Sequence, residues 1–240
     1  MKNAALFFIL VLFGWSCTPS PEQQAMDLLD KSIAAHGGKA GWENLKGIKF
    51  RKWTRMLDSA GNIESELDQW HEFRFVPRFE GKISWTKDSI AHWMSWDGAT
   101  FRYQMGENEV LNPDFLAAKK KDFDAAFYTV AQPWKLLDKG GKLIYEGKKT
   151  LENGTEVASI RVDYGPDADT WWYYFDSKSF EMLGNEVQLK DHRSRIYDLS
   201  SEQVEKMIFH GNRESWRVDE AGKRLFLRAE YRYSNYELQY

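Results

Sequence analysis

The run Asp169-Thr170-Trp171-Trp172-Tyr173-Tyr174-Phe175-Asp176 sets the architecture of this chain. Five consecutive aromatics followed by Ser177-Lys178-Ser179 read as a strand, a turn and a returning strand. Successive side chains of a strand point to opposite faces. Trp172 and Tyr174 therefore share one face, and Trp171, Tyr173 and Phe175 the other. Large rings on both faces demand apolar cover on both, which one sheet wrapped around an interior would supply. The alternative at this stage is a central strand of an ordinary β-sandwich whose rings are only core.

The flanking segments extend the strand reading. Upstream, strands start at Leu143 and run through Thr155 to Tyr164, punctuated by Asn153-Gly154 and Gly165-Pro166; downstream, Glu181 to Lys190 and Arg193 to Leu199 continue the pattern. Ser200 to His210 is ambiguous, because Ser200 and Gln203 resemble a capping box while Met207-Ile208-Phe209 suits a strand equally well. The chain closes with a hairpin about Glu220-Ala221-Gly222-Lys223 and a long strand carrying Leu225, Leu227, Ala229, Tyr231 and Tyr233 on one face.

A second strand group lies nearer the N-terminus. Ile48, Phe50, Thr54 and Met56 alternate with Lys49, Arg51 and Arg55, and a turn at Asp58-Ser59-Ala60-Gly61-Asn62 leads into a strand from Ile63 to Val76. Phe79, Gly81, Ile83 and Trp85 share a face of the next strand, His92, Met94 and Trp96 of the one after, and Phe101, Tyr103 and Met105 follow the Asp97-Gly98 turn. Five antiparallel strands in succession make a meander. Between the two groups, Asn112-Pro113 opens a helical segment with Leu116, Phe123, Phe127, Val130 and Trp134 on one stripe, interrupted at Pro133. A helix also starts at Ser20-Pro21, with Met26, Leu29 and Ile33 along one face and Gly37-Gly38 at its end. His36 sits in its last turn, where the macrodipole favours a cation.

Eleven or twelve strands in one sheet would curl rather than remain flat. The expected fold is mainly β (α+β): a single curved antiparallel sheet forming an open barrel over residues 22–240, with helices over 22–36 and 113–137 covering its mouth.

Composition narrows the function. Aromatics make up 15% of the chain, with 11 Trp, and 29% is charged, as in a globular chain with a heavy apolar interior. Residues 1–16 read as a signal peptide: Lys2, the apolar run Ala4 to Phe13, then Gly14-Trp15-Ser16 before Cys17. Ser16-Cys17 resembles a bacterial lipoprotein cleavage box, with Gly14 and Trp15 standing where the pattern has Leu and a small residue. The resemblance implies Cys17 as a lipidated N-terminus on a tether 17–21. A conventional secretory signal with an incidental cysteine is the other reading. Removing residues 1–16 removes Lys2 and no acid, taking the net charge from −3 to −4. That balance argues against nucleic acid as a partner. The one basic run, Lys119-Lys120-Lys121, reads as a solvated helix face.

No G-x-S-x-G, H-E-x-x-H or P-loop occurs, and Lys139-Gly140-Gly141-Lys142 lacks phosphate-loop spacing. Asp191-His192 are strand neighbours facing opposite ways, so no relay is expected from them. Neither a cofactor nor a metal is expected; were a metal present, His71 and His92 on nearby strands would be the first suspects.

The order of cleavage box, helix, meander, helical insertion and meander resembles the outer-membrane lipoprotein-localisation (LolA/LolB-like) superfamily. Trp96-Asp97-Gly98-Ala99-Thr100-Phe101-Arg102-Tyr103 is similar to its Asp-Gly hairpin. Ile33-Ala34-Ala35-His36-Gly37-Gly38, with Trp42, Leu45, Ile48 and Phe50, is similar to an uncharacterised group of bacterial lipoproteins. The resemblance implies an open barrel lined with apolar residues under a helical lid, in the cell envelope and most simply at the outer membrane.

The resulting expectation is a non-enzymatic, monomeric lipoprotein, anchored to a membrane and binding lipid or other apolar cargo. Its cavity would be lined by Phe50, Trp85, Met94, Trp96, Phe101, Tyr103, Trp172 and Tyr174, with Trp134 closing the mouth. Burying an acyl chain of about 16 carbons at ~0.8 kcal/mol per CH₂ is worth on the order of 12 kcal/mol gross, against several kcal/mol of association cost. The alternatives are a surface carbohydrate binder using exposed Trp and Tyr, a structural envelope lipoprotein with no small ligand, and an unrecognised hydrolase.

Overall fold

The computed structural model describes residues 19–138 and 140–240. The segment 1–16 expected as a signal peptide and Cys17, the expected lipidation site, lie outside the described residues. Helix α1 (Pro21–Ala35) starts where the cap residue dictates: Gln23 N donates to Ser20 Oγ at 3.2 Å, and Pro21 occupies the first turn. It buries Ala25, Leu28, Leu29 and Ile33. A five-residue helix α2 (Lys39–Glu43), not expected from the sequence, carries Trp42 toward the core.

The first meander comprises β1 (Gly47–Leu57), β2 (Ile63–Arg74), β3 (Glu80–Lys87), β4 (Ile90–Trp96), β5 (Phe101–Met105) and the short β6 (Asn108–Glu109). Helix α3 (Pro113–Val130) begins at Asn112, whose side chain accepts from Phe115 N, and stops just before Pro133; a 3-10 turn, Trp134–Leu137, follows. The second group is β7 (Lys142–Thr150), β8 (Glu156–Asp163), β9 (Thr170–Asp176), β10 (Met182–Gln188), β11 (Arg193–Asp198), β12 (Ser201–Val204), β13 (Met207–His210), β14 (Asn212–Val218) and β15 (Arg224–Gln239). The ambiguous stretch 200–210 is thus a hairpin, β12–β13, outside the main sheet.

All other strands form one 13-stranded antiparallel sheet in the order β6-β5-β4-β3-β2-β1-β15-β14-β11-β10-β9-β8-β7. Two meanders are zipped together by β1 against β15, with Lys52 opposite Tyr233 and Thr54 opposite Tyr231. The edges β6 and β7 do not pair, so the sheet is an open barrel, as the strand count requires. Helix α1 lies along the edge strand β7, and α3 reaches β5 beside the other edge. Among the described residues, no helix is long and apolar enough to cross a membrane.

The principal core fills the concave face. Phe50, Ile83, Phe123, Ile160, Tyr173 and Phe175 are all buried there, together with α1 side chains. A smaller cluster of Leu151, Val157, Tyr174 and Tyr197 lies on the opposite face, backed by Trp172 and Trp216. This corrects the expected inward direction of Trp172 and Tyr174. Cross-strand register supplies the reason: Tyr173 pairs with Ile160 and Phe175 with Ala158, whereas Trp172 sits between Arg161 and Glu186 and Tyr174 opposite Ser159. On the convex face Tyr174 Oη donates to Glu186 Oε2 at 2.9 Å and Trp172 Nε1 to Glu146 Oε2 at 2.9 Å, while Arg193 and Arg195 pair with the buried Glu186.

Candidate functional site

Helix α3 lies across the concave face, and the residues that fix it there define what space remains. Phe123 is fully buried and meets Phe73 edge-on at 5.5 Å, and Phe127 meets Phe79 in a tilted contact at 4.5 Å. Gly81 makes this seat possible. A β-carbon on it would stand 2.7 Å from Phe123 Cζ and 2.6 Å from Phe73 Cδ1, closer than side chains tolerate. Further along, Tyr128 and Tyr173 hydroxyls are bonded at 3.2 Å, and Lys120 covers the Trp96 ring at 4.7 Å. The lysine run is largely a solvated face with local pairs, Lys119 to Asp122 and Lys120 to Asp124, both at 2.7 Å.

The C-terminal end of α3 is fastened rather than free. Trp134 is 4% exposed, stacks on Trp42 at 4.7 Å and donates Nε1–H to the Gly38 carbonyl at 3.2 Å. It is a core anchor, which corrects its expected role at the mouth. His210 bridges the Thr129 carbonyl and the Asp198 carboxylate, at 3.1 Å each, and Arg213 pairs with the same carboxylate. Burial drives the Asp198 carboxyl upward, but the Arg213 guanidinium and His210 outweigh it and hold the group at about 2. His36 caps α1 by donating Nδ1–H to the Ser32 carbonyl at 2.7 Å; burial pushes its pKa down. A neutral hydrogen-bonded imidazole therefore replaces the expected helix-end cation.

Two clefts remain beside α3. One, of about 500 Å³, lies over β1–β4 and is walled by Met56, Leu67, Ile83, Trp85 and Met94 with Ala126 of α3. The other, of about 770 Å³, is formed by Phe79, Phe127, Tyr128, Trp171 and Ile196. Both volumes fall in the ~300–1,000 Å³ range of small-molecule pockets. Ala125 and Thr129, one turn apart on α3, border both clefts, so the two spaces flank the same turn of the helix.

Of the residues expected to line a cavity, Trp85 and Met94 border the first cleft. Phe50 is packed solid between His71 and Tyr236, at 4.8 and 5.3 Å, and Tyr103 is buried against Trp85 and Phe115. Phe101 packs on Phe123, and Trp96 lies under Lys120 near the sheet's end. Sequence reading missed Lys52, Phe127, Tyr128, Trp171 and Ile196 as cleft residues. Lys52 was accessible to it, because it stands in phase with Ile48, Phe50, Thr54 and Met56 on the inner face of β1.

The two suspect histidines do not meet. His92 stacks on Trp85 at 5.4 Å and bonds Tyr103 Oη at 3.0 Å, while His71 is buried against Phe50 two strands away. Among the described residues, no group of three or more His, Cys, Asp or Glu side chains is gathered to hold a metal.

This architecture recurs in solved structures. A LolA superfamily protein from Nitrosomonas europaea superposes with a TM-score of 0.55 at 7% identity, over 90% of this chain and 94% of that one. The fold is that of the LolA superfamily. A protein described as an outer membrane lipoprotein-sorting domain, from Vibrio parahaemolyticus, shares the LolA-like fold at a TM-score of 0.54 and 9% identity, over 91% of this chain and 93% of that one. A DUF1329 family protein from Desulfovibrio piger ATCC 29098 does so at 0.51 and 6%, over 92% and 94%. No family model and no curated protein sequence matches the chain. From Pro21 onward the expected order of helix, meander, helical insertion and meander is present, with α3 as the helical insertion over the open sheet.

Proposed function

We propose that this protein is a bacterial envelope lipoprotein that binds a lipid or other apolar cargo between α3 and the concave face of its sheet. One observation carries the reading: two clefts bordered by the same turn of α3, the larger walled by Phe79, Phe127, Tyr128, Trp171 and Ile196. Rings and branched chains on a concave, partly covered surface gain free energy chiefly by removing apolar ligand area from water. The shared fold with a protein described as a lipoprotein-sorting domain supports the same assignment. The protein works as a monomeric binder rather than an enzyme, held at the membrane through Cys17, with 17–21 as the tether.

The carbohydrate alternative loses its platform on the convex face. Sugar stacking needs an open ring face, yet Trp53 lies under Arg232 at 4.6 Å, Trp70 under Lys49 at 4.9 Å, Trp93 under Lys82 at 5.5 Å, Trp172 under Arg193 at 4.8 Å and Trp216 under Arg224 at 4.6 Å. These tryptophans are engaged in cation–π contacts.

Native mass spectrometry, with lipid extraction, of protein purified without detergent from its own envelope tests the reading. A co-purifying acyl species, and a mature N-terminus at a diacylated Cys17, are expected. Empty protein that is retained instead on polysaccharide affinity gels would replace lipid with carbohydrate, and cleavage elsewhere than before Cys17 would remove the anchor.

A further inference from the structure

The smaller cleft holds polar groups that an apolar cargo alone would leave unmatched. His71 is 1% exposed, sits on the cleft floor, and neither ring nitrogen has a hydrogen-bond partner. A buried polar atom left unpaired is costly, and such atoms in native proteins call for an explanation. Lys52 projects from the neighbouring β1 into the same cleft, its ammonium over the rings of Tyr231 and Tyr233 at 5.1 and 5.5 Å, and it makes no ion pair among the described residues. Thr54, Ser65 and Gln69 add uncharged polar groups beside them. The one acid on the cleft wall, Asp122, is already paired with Lys119 at 2.7 Å, so the positive charge of Lys52 is the uncompensated one.

We infer that Lys52 and His71 form a headgroup site, and that the cargo is an anionic amphiphile: a carboxylate or phosphate group on an alkyl chain. This rests on the apolar-cargo reading above and names the chemical class that the cavity selects. The anionic oxygen accepts from the Lys52 ammonium and from one N–H of His71. Burial, and then the adjacent Lys52, hold the His71 pKa well down, so the imidazole is neutral and has one N–H to donate. From there the alkyl chain passes Ala125 and Thr129 into the cleft of Phe127 and Trp171. Charge-assisted bonds are stronger than neutral ones, and a bond to a group as buried as His71 gains further from the low local dielectric, which is what lets two residues choose a headgroup.

Isothermal titration calorimetry with dodecanoate, dodecyl phosphate, methyl dodecanoate, acetate and inorganic phosphate tests the inference. Wild-type protein is expected to bind dodecanoate at least about ten-fold more tightly than the methyl ester, and to ignore acetate and inorganic phosphate. Lys52→Met should abolish that ratio while leaving methyl ester affinity within about two-fold, since its methylenes still cover the tyrosines. His71→Phe, which keeps the stack on Phe50, should weaken dodecanoate several-fold. In the unmodified protein, the His71 ring-nitrogen resonances should move on adding dodecanoate and stay fixed on adding the ester. Equal binding of acid and ester, or a Lys52→Met protein with an unchanged ratio, overturns the headgroup site and leaves the apolar-cargo reading standing. Binding of acetate or phosphate as tight as dodecanoate makes this a free-anion site and overturns the amphiphile. No binding of any twelve-carbon probe overturns both readings.

Discussion

Replacing Trp134 with Ala separates an anchored helix from a hinged cover. The side chain is 4% exposed, stacked on Trp42 at 4.7 Å, edge-on to His36 at 6.1 Å and in contact with Phe209 at 5.8 Å, and its Nε1–H is the partner of the Gly38 carbonyl. Truncating a buried Trp to Ala costs about 3–5 kcal/mol. The upper part of that range applies here, because an aromatic stack is lost and the carbonyl loses its donor. Against a total stability of ~5–15 kcal/mol, this is a large fraction. At roughly 2–4 °C per kcal/mol for a domain of this size, the melting temperature should fall on the order of 10 °C. Urea unfolding followed by circular dichroism, with the slope m unchanged, is the assay. A loss under about 1 kcal/mol would show that Trp134 is not in the core, and the fastening of α3 described above would be wrong.

Two further outcomes follow from buried charge. His36 and His71 both have pKa values pushed down by burial, so the unfolded chain binds more protons as pH falls below the ordinary imidazole value; stability should be intact above that value and drop on acidification, approaching about 1.4 kcal/mol per pH unit for each histidine still neutral, and His71→Phe should flatten the drop seen by thermal unfolding between pH 7 and 5. Asp198→Asn leaves Arg213 buried without its counter-charge and loosens the His210 link to α3; about 3–5 kcal/mol should be lost in urea unfolding, and a loss under 1 kcal/mol would deny the network a structural role.

The layout was legible where periodicity and turn chemistry act locally. Asp97-Gly98 fixed a hairpin, Ser20-Pro21 a helix start, Pro133 a helix end, and the run Thr170 to Asp176 a strand. What could not be read locally was the choice between two faces of an all-aromatic strand. Rings at 171 to 175 satisfy either face, and only pairing with Ile160 and Ala158 on one side and with Arg161 and Glu186 on the other settles it. The helical stripe of α3 was visible, but not that Trp134 would turn inward onto Trp42, a contact that depends on the unexpected helix α2. The cleft residues Phe127, Trp171 and Ile196 come from α3, β9 and β11, which meet only after the sheet curls. Lys52 was overlooked because a cation on an inner-face position reads as an exception to alternation; the structure makes it a feature of the site.

Photolabelling reads the cargo's position directly. Incubated with a diazirine-bearing fatty acid and irradiated, the protein should carry its label on Phe127, Tyr128 and Trp171, the side chains of the cleft between α3 and the concave face, and Trp171→Ala should cut the yield while Trp172→Ala leaves it unchanged. Label concentrated on Trp172, Trp216 or other convex-face residues, and insensitive to Trp171→Ala, would contradict an apolar cargo held inside the barrel.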